Sequence, residues 1–269
     1  MNIKLKPILQ IGNIIAVILT IVVNALANIL PINNKLTADI SDSIPNLFVP
    51  AGITFSIWGI IYLLLVLFII YQARDLFSKN KIDMSFLNRI SYYLIIASIA
   101  NIAWVFLWHY EQIILSLVPM IVLFLSLLKI YLGLNIGKEK ISIKDRLFVQ
   151  VPFSVYIGWI TVATIANVTA VLVTIGWDGF GLSEYLWTIL VLIVATLITL
   201  LVIVYRFDVA YSLVIIWALI GIIIKRTNTD PIYGIQTDIA IVAAILIVVI
   251  LISIIVIFLK RKIADKKTT

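Results

Sequence analysis

Long apolar segments are the feature that most constrains this chain. Eight stretches of mostly apolar residues are separated by short polar or charged segments. A helix needs about 20 apolar residues to cross the hydrocarbon core of a bilayer. We therefore predict eight membrane-spanning helices, of which the seventh is short. They lie near residues 8–30, 52–71, 90–108, 113–136, 148–174, 185–205, 209–224 and 239–259.

The composition indicates the same class. Hydrophobic residues make up 63% of the 269 residues and charged residues only 12%, about half the charged fraction of an average soluble domain. A water-soluble fold of this length could not bury so much apolar surface. The sequence contains no cysteine, which excludes disulfides, thiolate metal sites and cysteine nucleophiles. Its single histidine, His109, excludes a histidine cluster around a metal.

The net charge of +7 is better explained by membrane orientation than by nucleic-acid binding. Basic residues lie in short runs beside the apolar segments, and no soluble segment carries a basic face interleaved with aromatic residues. If the N-terminus is inside, the outer segments hold only Lys35, Lys225 and Arg226. The inner segments then hold Lys4, Lys6, Arg74, Lys79, Lys81, Arg89, Lys138, Lys140, Lys144, Arg146, Arg206, Lys260, Arg261, Lys262, Lys266 and Lys267. By the positive-inside rule we predict an integral protein of a bacterial plasma membrane with both termini cytoplasmic.

The first apolar segment has two interpretations. An Ala-x-Ala pattern at residues 25–27 would suit the cleavage site of a secretory signal peptide. The apolar run is long for such a peptide, however, and Gln10 and Asn13 interrupt it. We therefore predict that the segment is retained as the first membrane helix.

Polar and aromatic residues inside the apolar segments point to a cavity, because a polar group in hydrocarbon is costly unless it finds a partner or a water-accessible space. Several of them stand three or four residues apart, hence on one helix face. These are Asn24 and Asn28; Trp58 and Tyr62; Asn101, Trp104 and Trp108; and Tyr156, Trp159, Ala163 and Asn167. Facing inward together, they would give flat aromatic walls and a few hydrogen-bonding groups, which suit a flat, largely apolar ligand with polar edges.

Two structural roles could explain the same residues. Trp and Tyr gather at membrane interfaces as anchors, and Trp108, Trp177 and Trp187 lie near the ends of predicted spans. Asn in a membrane helix, such as Asn101, often serves only to hydrogen-bond a neighbouring helix. Both alternatives stay open at this point.

Common catalytic patterns are absent from the sequence. No Walker A, Gly-x-Ser-x-Gly or His-Glu-x-x-His pattern occurs, and no pair of carboxylates falls within an apolar segment. We therefore expect neither catalytic residues nor a bound metal, and no obligatory cofactor.

Three blocks of residues together resemble a known family. The first runs from Pro50 through Gly52 and Phe55 to Trp58 and Tyr62, the second is Asn101 with Trp104, and the third is Tyr156, Trp159, Ala163 and Asn167. In these blocks the sequence resembles the TspO/MBR family of tryptophan-rich sensory proteins, which are related to the mitochondrial translocator protein. The resemblance covers about the first 174 residues.

The resemblance implies a five-helix bundle whose pocket is closed by the loop between the first two helices. Its expected ligands are porphyrins, haem-like tetrapyrroles or sterol-like molecules, its expected role is sensory or regulatory, and its chemistry is at most light-dependent porphyrin breakdown. By this resemblance and the stripes above, the ligand-binding residues are Pro50, Gly52, Phe55, Trp58, Tyr62, Asn101, Trp104, Trp108, Tyr156, Trp159, Ala163 and Asn167.

The last three apolar segments have no counterpart in a five-helix core. We therefore predict an all-α membrane bundle with a core at residues 1–176, followed by accessory helices and a basic tail at residues 177–269. The expected partners are membrane lipid and a small hydrophobic ligand but no nucleic acid, and a homodimer is left open. Two other functions remain alternatives at this point: a secondary transporter of a hydrophobic small molecule, and a membrane scaffold.

Overall fold

The described part of the chain is a bundle of long helices without a β-sheet. A computed structural model describes the backbone of residues 5–268 and the side chains of residues 6–263. We number the long helices α1 (Leu5–Ile29), α2 (Ile57–Ala73), α3 (Tyr93–His109), α4 (Ile113–Gly133), α5 (Val151–Thr174), α6 (Glu184–Arg206), α7 (Val209–Thr227) and α8 (Thr237–Thr268). Shorter helices at Thr37–Ser43, Ser85–Ile90 and Ile143–Asp145 lie in the connections.

The predicted fold class, a polytopic helical membrane bundle, is confirmed. Seven of the long helices are long and apolar enough to cross a membrane, and α3 is a shorter apolar helix of 17 residues. The seventh span, expected to be short, is α7 with 19 residues, and it is among the helices long enough to cross. The third span was expected to begin at Ile90, but Ile90 ends a short helix and Ser91 has a φ of 50°, which breaks the helix before α3.

Local sequence explains where several helices begin. The second span begins at Gly52 as predicted; its first turn, Gly52–Ser56, is 3₁₀, and the α-helix α2 begins at Ile57. Pro152 follows a π-helical turn at Arg146–Gln150, which continues the short helix Ile143–Asp145 into α5 without a break. The side chains of Ser183 and Asp208 accept hydrogen bonds from the first turns of α6 and α7 and so cap both helices.

Helix α5 lies at the centre of the bundle and packs against α2, α4 and α7. Helix α1 packs against α2 and α3, whereas α8 is peripheral and contacts α6 and α7. Gly158 of α5 allows the close approach of α7, because a Cβ at this position would lie 3.1 Å from the Cβ of Val214 and 3.2 Å from the carbonyl oxygen of Tyr211. The three C-terminal helices are therefore packed onto the first five through α7.

The connecting segments contact one another at each of the two ends of the bundle. At the basic end, Arg89 pairs with Glu139, and Arg206 Nη1 donates to the carbonyl of Ile136 at 3.1 Å. At the opposite end, which we call the lid end, Lys35 pairs with Glu111 and Tyr233 donates to Glu184. The segments predicted to be inner thus meet at one end. Of the predicted inner residues, Lys4 and the side chains of Lys266 and Lys267 lie outside the described residues.

A buried ion pair joins α1 to the segment after α2 at the basic end. Lys6 contacts Asp75, which also accepts from Gln10 Nε2 at 2.9 Å and from the N–H of Ile82 at 2.7 Å. Burial by itself raises the pKa of Asp75, but the hydrogen bonds from Lys6, Gln10 and Ile82 outweigh it and lower the pKa to about 2. The carboxylate is therefore ionised at neutral pH and holds the first helix in the bundle.

Candidate functional site

The connection between α1 and α2 folds over the lid end of the bundle. We call residues 30–56 the lid; it contains the short helix Thr37–Ser43 and the 3₁₀ turn Gly52–Ser56. The indole of Trp108, at the end of α3, donates to the carbonyl of Thr37 at 3.2 Å. The side chain of Asn46 donates to Thr169 of α5 at 2.7 Å. The lid is therefore attached to helices on two sides.

A cavity lies between the lid and helices α2, α3 and α5. We call it the aromatic cavity. Eight of the twelve residues predicted from the sequence line it, namely Pro50, Phe55, Trp58, Trp104, Trp108, Trp159, Ala163 and Asn167. The other lining residues are Thr37, Ser41, Ile44, Val49, Val162, Ala166 and Ala170, so no charged side chain is among them. The environment suits an uncharged, largely apolar molecule.

The aromatic rings of the cavity pack against one another. Trp104 and Trp108 are stacked, with ring centroids 5.3 Å apart and planes 22° from parallel. Trp159 meets Phe55 edge-on at 5.9 Å and Trp58 edge-on at 6.4 Å. The rings that form the wall of the cavity therefore fall into two groups, the stacked pair of Trp104 and Trp108 and the cluster of Phe55, Trp58 and Trp159.

Polar side chains fix one side of the wall. Trp104 Nε1 donates to Asn167 Oδ1 at 3.0 Å, and Asn167 Nδ2 donates to Ser116 Oγ at 3.0 Å. The hydroxyl of Ser116 in turn donates to the carbonyl of Ile113 at 2.7 Å. This chain joins α3, α4 and α5 and holds the indole plane of Trp104, so Asn167 acts here as a positioning residue.

The remaining four predicted residues do not line the cavity. Tyr62 stacks on Trp58 at 5.4 Å, and Tyr156 meets Trp58 edge-on at 6.0 Å, so both contact a lining ring. Asn101 is fully buried and accepts from Asn24 of α1 at 2.7 Å. Gly52 is exposed at the start of the 3₁₀ turn. For Asn101, hydrogen bonding between helices is thus the role that the contacts describe.

Several buried polar groups in this region have no hydrogen-bond partner among the described residues. They are Trp159 Nε1, Asn101 Nδ2, and the hydroxyls of Tyr62 and Tyr156. An unpaired buried donor costs about 1–3 kcal/mol. Trp159 lines the cavity, and its indole N–H is a buried donor without a partner among the described residues.

Sequence reasoning missed part of the lining and Ser116, which supports the lining from behind. Ala166 and Ala170 extend the stripe of Trp159, Ala163 and Asn167 along α5, so following the helical period further would have found them. Ser116 lies on α4, which carries no matching motif, and its role depends on the packing of α4 against α5. Thr37 and Ser41 belong to the short lid helix, whose position the sequence did not indicate.

Helix α7 also holds the lid, which sequence reasoning did not foresee. The N–H of Ala51 donates to the carbonyl of Gly221, and Trp217 Nε1 donates to the carbonyl of Thr54, both at 2.9 Å. Lys225 pairs with Asp42 at 2.9 Å. The division into a core at residues 1–176 and accessory helices at 177–269 stays a prediction, but the second segment supplies contacts that position the lid.

The comparisons with known proteins give one match. The sequence model of a family described as TSPO-like protein matches residues 10–257. The match extends beyond the first 174 residues that carried the resemblance and includes α6, α7 and most of α8. No curated protein and no solved structure matches the chain.

Proposed function

The chain belongs to the TSPO-like protein family of integral membrane proteins, and from that premise we propose that it binds a flat, largely apolar ligand in the aromatic cavity. The observation that carries the proposal is the convergence of Trp58, Trp104 and Trp159 from three helices on one cavity beneath the lid. Indole faces bury large apolar area, while the unpaired N–H of Trp159 offers a hydrogen bond to a polar edge.

Ligand entry requires the lid to move. The aromatic cavity has a volume of about 50 Å³, whereas typical ligand pockets have volumes of about 300–1,000 Å³. The structure therefore represents a closed form of the proposed site. The lid carries Val49, Pro50 and Phe55 over the cavity and is the wall whose displacement would enlarge it.

The donor set favours a metal-free flat ligand over haem held by an axial histidine. Nδ1 of His109, the single histidine, lies 2.7 Å from the carbonyl oxygen of Val105, and Nε2 lies 3.4 Å from Thr37 Oγ1. Both ring nitrogens therefore have protein partners. Within the described residues, no group of three His, Cys, Asp or Glu side chains could hold a metal ion. Protoporphyrin is accordingly the first probe to test.

A sensory role follows from the way the lid is attached. A ligand that displaces the lid has to break the hydrogen bonds from Ala51 to Gly221 and from Trp217 to Thr54. Ligand occupancy would thereby change the contacts of α7 and, through its packing, those of α8. We propose that this coupling reports ligand binding to the C-terminal helices.

Titration of the purified full-length chain with protoporphyrin, followed by porphyrin absorbance, tests the binding proposal. Trp58→Leu, Trp104→Leu and Trp159→Leu each keep the wall apolar but remove a flat ring. Stacking contributes about 0.5–1.5 kcal/mol beyond area burial. Because each substitution also removes contact area, we expect the affinity for protoporphyrin to fall by about 10- to 100-fold.

The control replaces an aromatic residue outside the cavity. Tyr205 on α6 is 66% exposed, and Tyr205→Leu should leave affinity unchanged. The other tryptophans are unsuitable controls, because Trp217 holds the lid and Trp187 lines a second cavity. If the three cavity variants bind protoporphyrin as Tyr205→Leu does, the aromatic cavity is not the binding site.

A further inference from the structure

A second and larger cavity opens on the other side of α5. It lies between the lid, α5 and α6 at the lid end, has a volume of about 640 Å³, and is within the range of small-molecule sites. We call it the cleft. Leu47 and Phe48 of the lid and Val168 of α5 belong to its apolar lining. Because α5 separates the two cavities, the cleft is distinct from the site proposed above.

Aromatic rings form one corner of the cleft. The ring centroids of Trp177 and Trp187 lie 4.9 Å apart, and both residues line the cleft. Trp187 Nε1 donates to the carbonyl of Gly179 at 2.6 Å, which fixes the orientation of this indole. Both indoles are only half-buried, so part of their surface is open to a ligand. Indole faces attract cations more strongly than other side-chain rings do.

The charges of the lining have one sign. Asp178 and Glu184 line the cleft, and none of its lining residues is Lys, Arg or His. Each carboxylate has a structural hydrogen bond: Asp178 Oδ1 accepts from the N–H of Phe180 at 3.0 Å, and Glu184 Oε2 accepts from the hydroxyl of Tyr233 at 2.6 Å. The lining therefore combines apolar walls, two indoles and two carboxylates that have no ion-pair partner among the described residues.

We propose that the cleft binds a small lipophilic cation. The apolar body would pack against the lid and α5, and the positive charge would lie near the indoles of Trp177 and Trp187 and the carboxylates of Asp178 and Glu184. Charge complementarity selects a cation over an uncharged or anionic molecule of the same shape. This inference is independent of porphyrin binding, because it concerns a different cavity.

Two ions of nearly the same size and shape but opposite charge test the proposal. Equilibrium dialysis of the full-length chain in a neutral detergent measures the binding of tetraphenylphosphonium and of tetraphenylborate. We expect saturable binding of one phosphonium ion per chain and no saturable binding of the borate. The phosphonium affinity should fall as salt concentration rises, because Asp178 and Glu184 are exposed.

Amide variants isolate the contribution of charge. Asp178→Asn and Glu184→Gln keep an oxygen that can accept the hydrogen bonds from Phe180 and Tyr233, so folding should be preserved. Each should weaken phosphonium binding by about 1.5- to 5-fold, the range for exposed charge pairs. If the double variant binds phosphonium as tightly as the wild type at low salt, the proposal is overturned.

A blocking variant locates the site. Val168 lines the cleft and is 37% exposed, so Val168→Trp fills the space without adding charge. We expect at least a 10-fold loss of phosphonium affinity. Val118→Trp, at a 63% exposed position on α4, is the matched control and should bind normally. Normal binding by a folded Val168→Trp variant would contradict the proposal.

A lipid head group is the competing occupant of the cleft. Adding phosphatidylcholine or phosphatidylethanolamine to the neutral detergent supplies an ammonium head group on a lipid. We expect phosphonium binding to be the same with and without either added lipid. Strong competition by an added lipid would show that the cleft holds a lipid head group, and would overturn the assignment to a small cation.

Discussion

At the scale of single residues, Gly221 sets how closely α7 approaches the lid. A Cβ at this position would lie 2.0 Å from Thr54 Oγ1 and 3.0 Å from the Cβ of Pro50. The hydroxyl could rotate away, but the proline ring cannot, so the lid has to shift. We expect Gly221→Ala to lower the free energy of unfolding by about 1–3 kcal/mol, the usual range for overpacking. Thermal unfolding in detergent measures this change.

Gly59 provides the matched control for Gly221. It also lies within a helix, but a Cβ at this position meets nothing within 4 Å. Gly59→Ala should therefore be neutral or stabilise the protein by up to about 1 kcal/mol, because alanine favours the helix. Equal stability of the two variants would mean that the lid does not press on α7.

Asp75 gives a pH dependence whose sign can be stated. Its pKa in the folded protein is about 2, below the value of about 3.9 in an unfolded chain. The ion pair with Lys6 therefore stabilises the fold fully above about pH 4, and the contribution is lost as the pH falls from 4 towards 2. We expect Asp75→Asn to be less stable than the wild type at pH 5–7, with the difference shrinking below pH 4.

The exposed pair of Arg89 and Glu139 is the comparison for Asp75. It lies at the same end of the bundle, but its side chains are 39% and 36% exposed. Exposed pairs contribute little to stability, so Glu139→Gln should change unfolding only slightly between pH 5 and 7. If Glu139→Gln lowers the free energy of unfolding as much as Asp75→Asn does, burial does not explain the contribution of the Lys6–Asp75 pair to stability.

At the scale of elements, the proposed ligand binding requires the lid to move. It is attached to α3 through Trp108, to α5 through Asn46 and to α7 through Ala51. Because the chain has no cysteine, the paired variant Asn46→Cys and Thr169→Cys can be bridged by a short thiol cross-linker without background reaction. We expect the bridged lid to slow protoporphyrin uptake by at least 10-fold, and cleavage of the bridge to restore it.

A second pair of cysteines controls for the cross-linking chemistry. Arg89→Cys with Glu139→Cys places the bridge at the basic end, away from the lid. This bridge should leave protoporphyrin uptake unchanged. Uptake at the normal rate through a bridged lid would instead mean that the ligand enters by another route.

At the scale of the whole molecule, the two ends predict the orientation in the membrane. Glu111 lies at the lid end and Glu139 at the basic end, and their side chains are 47% and 36% exposed. By the positive-inside rule we predict that the basic end faces the cytoplasm. A membrane-impermeant thiol reagent applied to intact cells should label Glu111→Cys but not Glu139→Cys. The reverse labelling pattern would invert the topology.

The sequence by itself determined the helices and part of the site. Apolar runs of about 20 residues leave few structures other than membrane helices, because hydrocarbon offers the backbone no hydrogen bonds. The four-residue spacing of Trp159, Ala163 and Asn167 placed them on one face, and all three line the aromatic cavity. Such inferences succeed because helical periodicity is a local property of the chain.

Tertiary structure alone decided which faces meet and how much space they leave. Asn101 fits the same kind of stripe as Trp104, yet it pairs with Asn24 behind the wall. Trp217 supports the lid from a helix 163 residues further along the chain than Thr54. No sequence motif indicated the volumes of the two cavities, which are about 50 and 640 Å³. Contacts and volumes of this kind depend on packing between distant segments, which the period of a single helix does not encode.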